Sequence, residues 1–208
     1  MMIRTFPRRY LSISAVVIGI LLLFAADFMP ARAATFEDGI AAQKAGDYSK
    51  AAAIWERLAR QGHAGAQVRL ADTYYKGLHR KQDFIEALAW YRKAAGQNHP
   101  EAQYMLGQMY TYGHGVKADY DEALKWFRRA AAQGHADAQY SIGASYFKGF
   151  GVETDYVTAY AWMTLAMKNG STLAGQKREL LAGVLSNSQK RKAEKLAAKL
   201  ARQYPKKK

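Results

Sequence analysis

The 208-residue chain contains no cysteine. That excludes a disulfide framework, a thiolate metal site and a cysteine nucleophile, so packing alone has to stabilise the fold. Proline is scarce, at four residues, and long stretches pass without a turn cluster, which argues against a sandwich or barrel of short strands. Signatures of common chemistries are missing too: there is no Gly-x-Ser-x-Gly elbow, phosphate-binding loop or His-Glu-x-x-His pair. No catalytic residue, cofactor or metal is expected. Acid pairs such as Asp121-Glu122 stand where a helix begins, and the helix dipole accounts for them. What the chain does have is alanine, tyrosine and tryptophan in a half-hydrophobic composition. That is enough to bury a core and points to an all-α class.

Arg4, Arg8 and Arg9 precede an apolar run from about Tyr10 to Ala26, and Ala31-Arg32-Ala33 follows it. This order reads as a signal peptide over residues 1–33 cleaved before Ala34, which would put the remainder in the periplasm or outside the cell. The alternative is an uncleaved anchor in the inner membrane, for which the run is slightly short of the ~20 apolar residues a spanning helix needs. Removing residues 1–33 takes away four arginines and one aspartate, lowering the formal charge from +14 to +11. The excess is uneven: from Gln176 to Lys208 there are eleven Lys or Arg against Glu179 and Glu194.

Between these ends the sequence repeats itself every 36 residues. Ala66-Gln67 returns as Ala102-Gln103 and Ala138-Gln139, Tyr74 as Tyr110 and Tyr146, Asp83 as Asp119 and Asp155, and Trp90 as Trp126 and Trp162. Within a unit, Leu70, Ala71 and Tyr74 lie on one helical face, and Phe84, Ala87, Leu88 and Tyr91 form a second stripe. Each unit is therefore expected to be a pair of amphipathic helices. Gly113-His114-Gly115 and Gly149-Phe150-Gly151 fall between the helices, where positive φ is needed. Asp83, Asp119 and Asp155 are placed to cap the second helices, and Pro100 suits a first helical turn. The segment from Phe36 to Gln67 reads as a degenerate first unit, as terminal repeats often are. The tryptophans recur in register, which assigns them to repeat packing. His63, His99 and His135 also recur, but neighbouring repeats stand at least ~8–10 Å apart while Zn–N bonds are ~2 Å, so one ion cannot bridge them. His79 and His114 read as loop residues.

Gly107-Gln-Met-Tyr110-Thr-Tyr-Gly113-His-Gly115-Val116 through Asp119, followed by Ala123-Leu-Lys-Trp126-Phe127 and Ala130-Ala131, closely resembles the Sel1-like repeat. The resemblance runs from about Ala66 to Gly170. It departs at His79-Arg80, where the pattern would place Gly-Val. Lys177 to Arg202 is similar to the closing helices of many bacterial Sel1-repeat proteins, with Ser186 and Gln189 at capping-box spacing. The resemblance implies a right-handed α/α solenoid, related to tetratricopeptide arrays, with units of about 36–67, 68–103, 104–139 and 140–175. Closing helices and a basic tail would occupy 176–208. It further implies a scaffold that holds a protein or peptide partner on a curved surface, as an adaptor or regulator in the envelope, rather than an enzyme. Cysteine-rich relatives linked to β-lactam hydrolysis are stapled by disulfides that this chain lacks, which leaves a cell-wall or β-lactam hydrolase as a lesser alternative.

The partner surface should be the face of each first helix opposite the Leu70/Tyr74 stripe. That face would carry Arg69, Asp72, Thr73 and Lys76, then Met105, Gln108, Met109 and Tyr112, then Ser141, Ala144, Ser145 and Lys148. Met105, Met109 and Tyr112 would make an adaptable apolar patch, unless the methionines instead pack against a neighbouring repeat. A second surface is the basic end, Lys195, Lys199, Arg202, Lys206, Lys207 and Lys208, which could dock on an anionic membrane, cell-wall polymer or acidic protein, or be only a solvated helix end. Nucleic acid is not an expected ligand of an exported chain.

Overall fold

The computed structural model describes residues 33–205. The expected signal peptide up to Arg32, and Lys206, Lys207 and Lys208, lie outside the described residues. From Thr35 onward the chain forms one unit. Among the described residues it contains α-helices and no strand: α1 Phe36–Lys44, α2 Tyr48–Arg60, α3 Ala64–Lys76, α4 Phe84–Gly96, α5 Pro100–Tyr112, α6 Tyr120–Ala132, α7 Ala136–Lys148, α8 Tyr156–Asn169, α9 Ala174–Val184 and α10 Asn187–Gln203. The fold is an all-α helical-repeat solenoid.

Local chemistry sets these boundaries. Each second helix begins at the expected aspartate: Asp119 Oδ1 accepts from the Glu122 amide at 2.9 Å, and Asp83 and Asp155 each accept from two amides. Such a cap is worth about 1 kcal/mol. The recurring histidines cap the first helices. The Nδ1 atoms of His63 and His135 accept from Ala66 N at 3.1 Å and Ala138 N at 3.2 Å. His99 makes no side-chain cap, and Pro100 occupies the first turn of α5, where a missing N–H leaves nothing unsatisfied. Ser186 and Gln189 form the expected capping box at the start of α10.

Packing runs between neighbours only, as in other solenoids. Each first helix lies against its second helix, each second helix against the next first helix, and both α9 and α10 against α8. Ala66, Ala102 and Ala138 are fully buried, as are Ala87 and Ala159, with Ala123 nearly so. The backbones come close enough that a Cβ at Gly107 would stand 2.4 Å from the Phe127 ring. The tryptophans pack between repeats. Trp162 is buried and meets Tyr204 edge-on at 4.8 Å. Trp90 and Trp126 are half-buried beneath Lys93 at 3.8 Å and Arg129 at 4.5 Å.

A second contact, between the two helices of each repeat, is polar. Gln97 Nε2 donates to Gln67 Oε1 at 2.8 Å, Gln133 Nε2 to Gln103 Oε1 at 2.9 Å, and Asn169 Nδ2 to Gln139 Oε1 at 2.9 Å. The acceptor glutamines are buried, so the same amide bond ties the end of each second helix to its own first helix. Gln97 Nε2 to Gly62 O at 2.9 Å, Gln133 Nε2 to Asn98 O at 2.8 Å and Gln139 Nε2 to Ala131 O at 3.4 Å cross to the preceding repeat. Asn98, one residue after Gln97, takes the left-handed conformation at φ 64° that glycine takes at Gly62 and Gly134. Asparagine tolerates that region better than most residues.

One carboxylate is half-buried at a cost. Asp72 Oδ1 accepts from the Tyr91 hydroxyl at 2.5 Å, yet burial pushes its carboxyl above the ordinary range despite the opposing effects of Tyr91, Lys76 and Arg69. A folded-state pKa raised above the unfolded one means stability that is complete at low pH and is lost as pH rises through the folded value. Asp72→Asn keeps an acceptor for Tyr91 and removes the charge. Urea denaturation should therefore show the variant matching wild type near pH 3 and exceeding it at pH 7.

Candidate partner-binding groove

The first helices α3, α5 and α7 carry the expected partner-facing residues in four columns, and the structure separates those columns. Thr73, Met109 and Ser145 are buried. Thr73 Oγ1 donates to Leu70 O at 2.7 Å and Ser145 Oγ to Ser141 O at 3.0 Å. Met109 is 0% exposed, inside the cluster of Leu88, Tyr91 and Leu106. The expectation that this column faces a partner is corrected. Each of these residues stands three positions after Leu70, Leu106 or Ile142, so it shares their core-facing side. Met105 is half-buried against the same cluster. The methionines therefore pack between helices, and the anticipated patch reduces to Tyr112, which is 63% exposed.

The remaining positions fall into two hollows rather than one continuous line. Arg69 and Asp72 border a hollow of about 430 Å³ with Phe36, His99 and Glu101. Arg69 stands 3.8 Å from Asp72. On the adjacent rim His135 Nε2 lies 3.0 Å from Glu101 Oε2, a contact that holds the Glu101 carboxyl below its ordinary range. Lys76 is exposed at the end of α3. The second hollow, of about 210 Å³, lies between α5 and α7. Gln108, Tyr112, Ser141, Ser145 and Lys148 all line it, Ser145 from its buried floor.

Residues that sequence reasoning did not assign complete this second hollow. Phe127 of α6, Tyr140 and Phe147 of α7, Phe150 after it and Met163 of α8 supply apolar surface, and Lys177 reaches it from α9. Thr111 and Phe147 recur at one repeat position, so the column was visible, but its orientation was not. Lys177 belongs to the closing helices, which have no periodicity to place them. Gln108 Nε2 donates to the Tyr104 hydroxyl at 2.9 Å. Burial pushes that phenol up to about 12 and raises the Tyr140 phenol too.

At the basic end, Lys195, Lys199 and Arg202 are exposed on α10, while Ala193, Ala197 and Leu200 on its other face are buried. No group of three or more metal-ligating side chains converges among the described residues. No helix among them is long and apolar enough to cross a membrane.

Comparison with known proteins adds the family. The Sel1 repeat model matches residues 33–63, 64–99, 100–135 and 136–171, a frame that starts each later unit at the first residue of a first helix. A Sel1 repeat protein from Oxalobacter formigenes, known from a crystal structure, is 33% identical, with a TM-score of 0.64 over 70% of this chain and 60% of that one. The crystal structure of c5321, a protective antigen present in uropathogenic Escherichia coli strains and displaying an SLR fold, is 30% identical. It has a TM-score of 0.58 over 81% of this chain and 45% of that one. The chain thus spans less than two thirds of either protein. No curated protein matches it. Sel1 repeats are generally protein–protein interaction modules, and proteins built from them are typically non-enzymatic. With four consecutive matched units covering most of its length, the chain belongs to the Sel1 repeat family.

Proposed function

We propose that the chain is an exported scaffold that holds a protein or peptide partner in the groove between α5 and α7, as an adaptor or regulator in the bacterial envelope. The observation that carries this reading is the hollow itself. There the expected partner-facing residues Gln108, Tyr112, Ser141 and Lys148 meet aromatic surface. At about 210 Å³ it is smaller than the roughly 300–1,000 Å³ of small-molecule sites, so it suits an anchoring side chain better than a whole substrate. Export rests on the arginines, apolar run and Ala31-Arg32-Ala33 at the N-terminus.

Crosslinking capture from envelope extracts tests the groove. Tyr112→Glu combined with Ala144→Trp, in a protein of unchanged helicity, should lose a partner that wild type retains; unchanged capture rejects the assignment. Mass spectrometry of the purified protein should find Ala34 at the N-terminus, and an intact N-terminus would instead favour a membrane anchor. The exposed cations of α10 favour a second reading, docking on an anionic envelope surface or cell-wall polymer. In that case Lys195→Glu, Lys199→Glu and Arg202→Glu together abolish capture while the groove variant keeps it.

A further inference from the structure

We infer that the cavity between α5 and α7 takes one apolar side chain flanked by acidic residues on an extended segment of a protein partner. This deepens the groove reading and rests on it.

The floor is apolar: Phe127, Phe147 and Met163 face the space, and water excluded from such a surface favours an apolar guest. The walls hold no aspartate or glutamate, while Lys148 and Lys177 enter from two different helices. Among the described residues neither lysine forms an ion pair. Lys148 stands 5.3 Å from the Phe150 ring centre, which leaves its ammonium protons available.

The other polar groups narrow the chemistry further. The Thr111 hydroxyl donates to Gly107 O at 2.8 Å, Ser141 to Asp137 O at 2.9 Å and Ser145 to Ser141 O at 3.0 Å. Each of these protons is therefore committed to a backbone carbonyl. The Tyr112 and Tyr140 hydroxyls have no hydrogen-bond partner among the described residues. The cavity thus presents two cations and two phenolic donors without a carboxylate to meet them. A segment bearing an apolar anchor between acidic residues satisfies both parts. Two lysines on separate helices suit acids on both sides of the anchor better than a single terminal carboxylate. The formal charge of +11 that remains after residues 1–33 would also draw an acidic segment toward the surface.

The test is a selection of random dodecapeptides displayed on phage, against the protein purified from the cells that express it, followed by fluorescence anisotropy of the enriched peptides. The expected result is a consensus with one large apolar residue between aspartates or glutamates. Its affinity should fall at least about tenfold in Lys148→Glu/Lys177→Glu. It should fall similarly in Ala144→Trp, which fills the cavity, or when the peptide acids become amides. Circular dichroism confirms that both protein variants remain helical, and because the lysine changes lie at the surface they keep the test independent of the cavity substitution. A neutral or basic consensus, affinity indifferent to the lysines, or no enriched peptide overturns the inference. The groove reading survives that outcome if the Tyr112→Glu/Ala144→Trp protein still loses its crosslinked partner, and falls with it if capture is unchanged.

Discussion

Gly115→Ala is expected to destabilise the fold by about 3 kcal/mol or more, a large effect for adding one methyl group, because two independent penalties fall on one atom. Gly115 sits at φ 69°, where a side chain strains the backbone. Its absent Cβ would also lie 2.4 Å from the carbonyl oxygen of Phe84, the first residue of α4 in the preceding repeat. That neighbour is backbone, anchored by the Asp83 cap, and cannot swing aside as the tip of a side chain would. The loop after α5 would have to withdraw from α4, loosening the contact between the two repeats. Urea denaturation should show the loss directly. Gly151, at φ 68° and with a would-be Cβ 2.8 Å from Tyr120, should behave similarly.

The same column shows another solution in the unit before. His79, 36 residues ahead of Gly115, adopts φ 59° without being glycine. Its ring stacks on Tyr48 at 4.8 Å, so contact with the preceding repeat is made by side chains rather than by a bare backbone. The next residue, Arg80, covers the Tyr74 ring at 4.3 Å and approaches Glu56 at 3.8 Å. The departure from Gly-Val that stood out in the sequence is therefore a local replacement of one inter-repeat contact by others. His79→Gly relieves the strain and loses the stacking, and should change stability by less than about 1 kcal/mol.

This comparison explains what the sequence could disclose. The aspartate caps and the capping box at Ser186 depend on residues within about one turn of one another, and the period that pairs the helices is read by comparing the chain with itself. The groove depends on rotation about the helix axis. Taking the Leu70/Tyr74 stripe as the whole buried face left Thr73, Met109 and Ser145 on the wrong side, although a helix packed against both its own partner and the previous repeat must bury a wider arc. The histidines were visible as a column, but their role as caps was not, because aspartate, asparagine, serine and threonine dominate that position. Lys177 entered the cavity from the closing helices, which share no period with the rest.

The amide ladder gives the second large effect, in Gln139→Leu, expected to cost about 2–3 kcal/mol even though leucine nearly conserves volume. Gln139 is 0% exposed, accepts from Asn169 Nδ2 at 2.9 Å and donates to Ala131 O at 3.4 Å. The Ala131 carbonyl keeps the Gly134 amide at 2.9 Å, so most of the loss falls on the half-buried Asn169 amide, which is left without its partner. Removing both ends tests that account. Asn169→Leu added to Gln139→Leu should cost less than the sum of the single changes by at least about 1 kcal/mol, because the second substitution removes the group orphaned by the first. Additive losses would mean that the two amides contribute separately and that the bond does not couple the two helices of the repeat. Gln139 also carries a bond across the repeat boundary, to Ala131 O of the preceding unit, so its loss has a further consequence. Stability in an array of nearest neighbours depends on the contacts between units as much as on the units. The Gln139→Leu protein should therefore unfold with a shallower urea dependence as the last repeat and closing helices separate from the rest, and hydrogen exchange should quicken in α7 to α10 before α3 to α6.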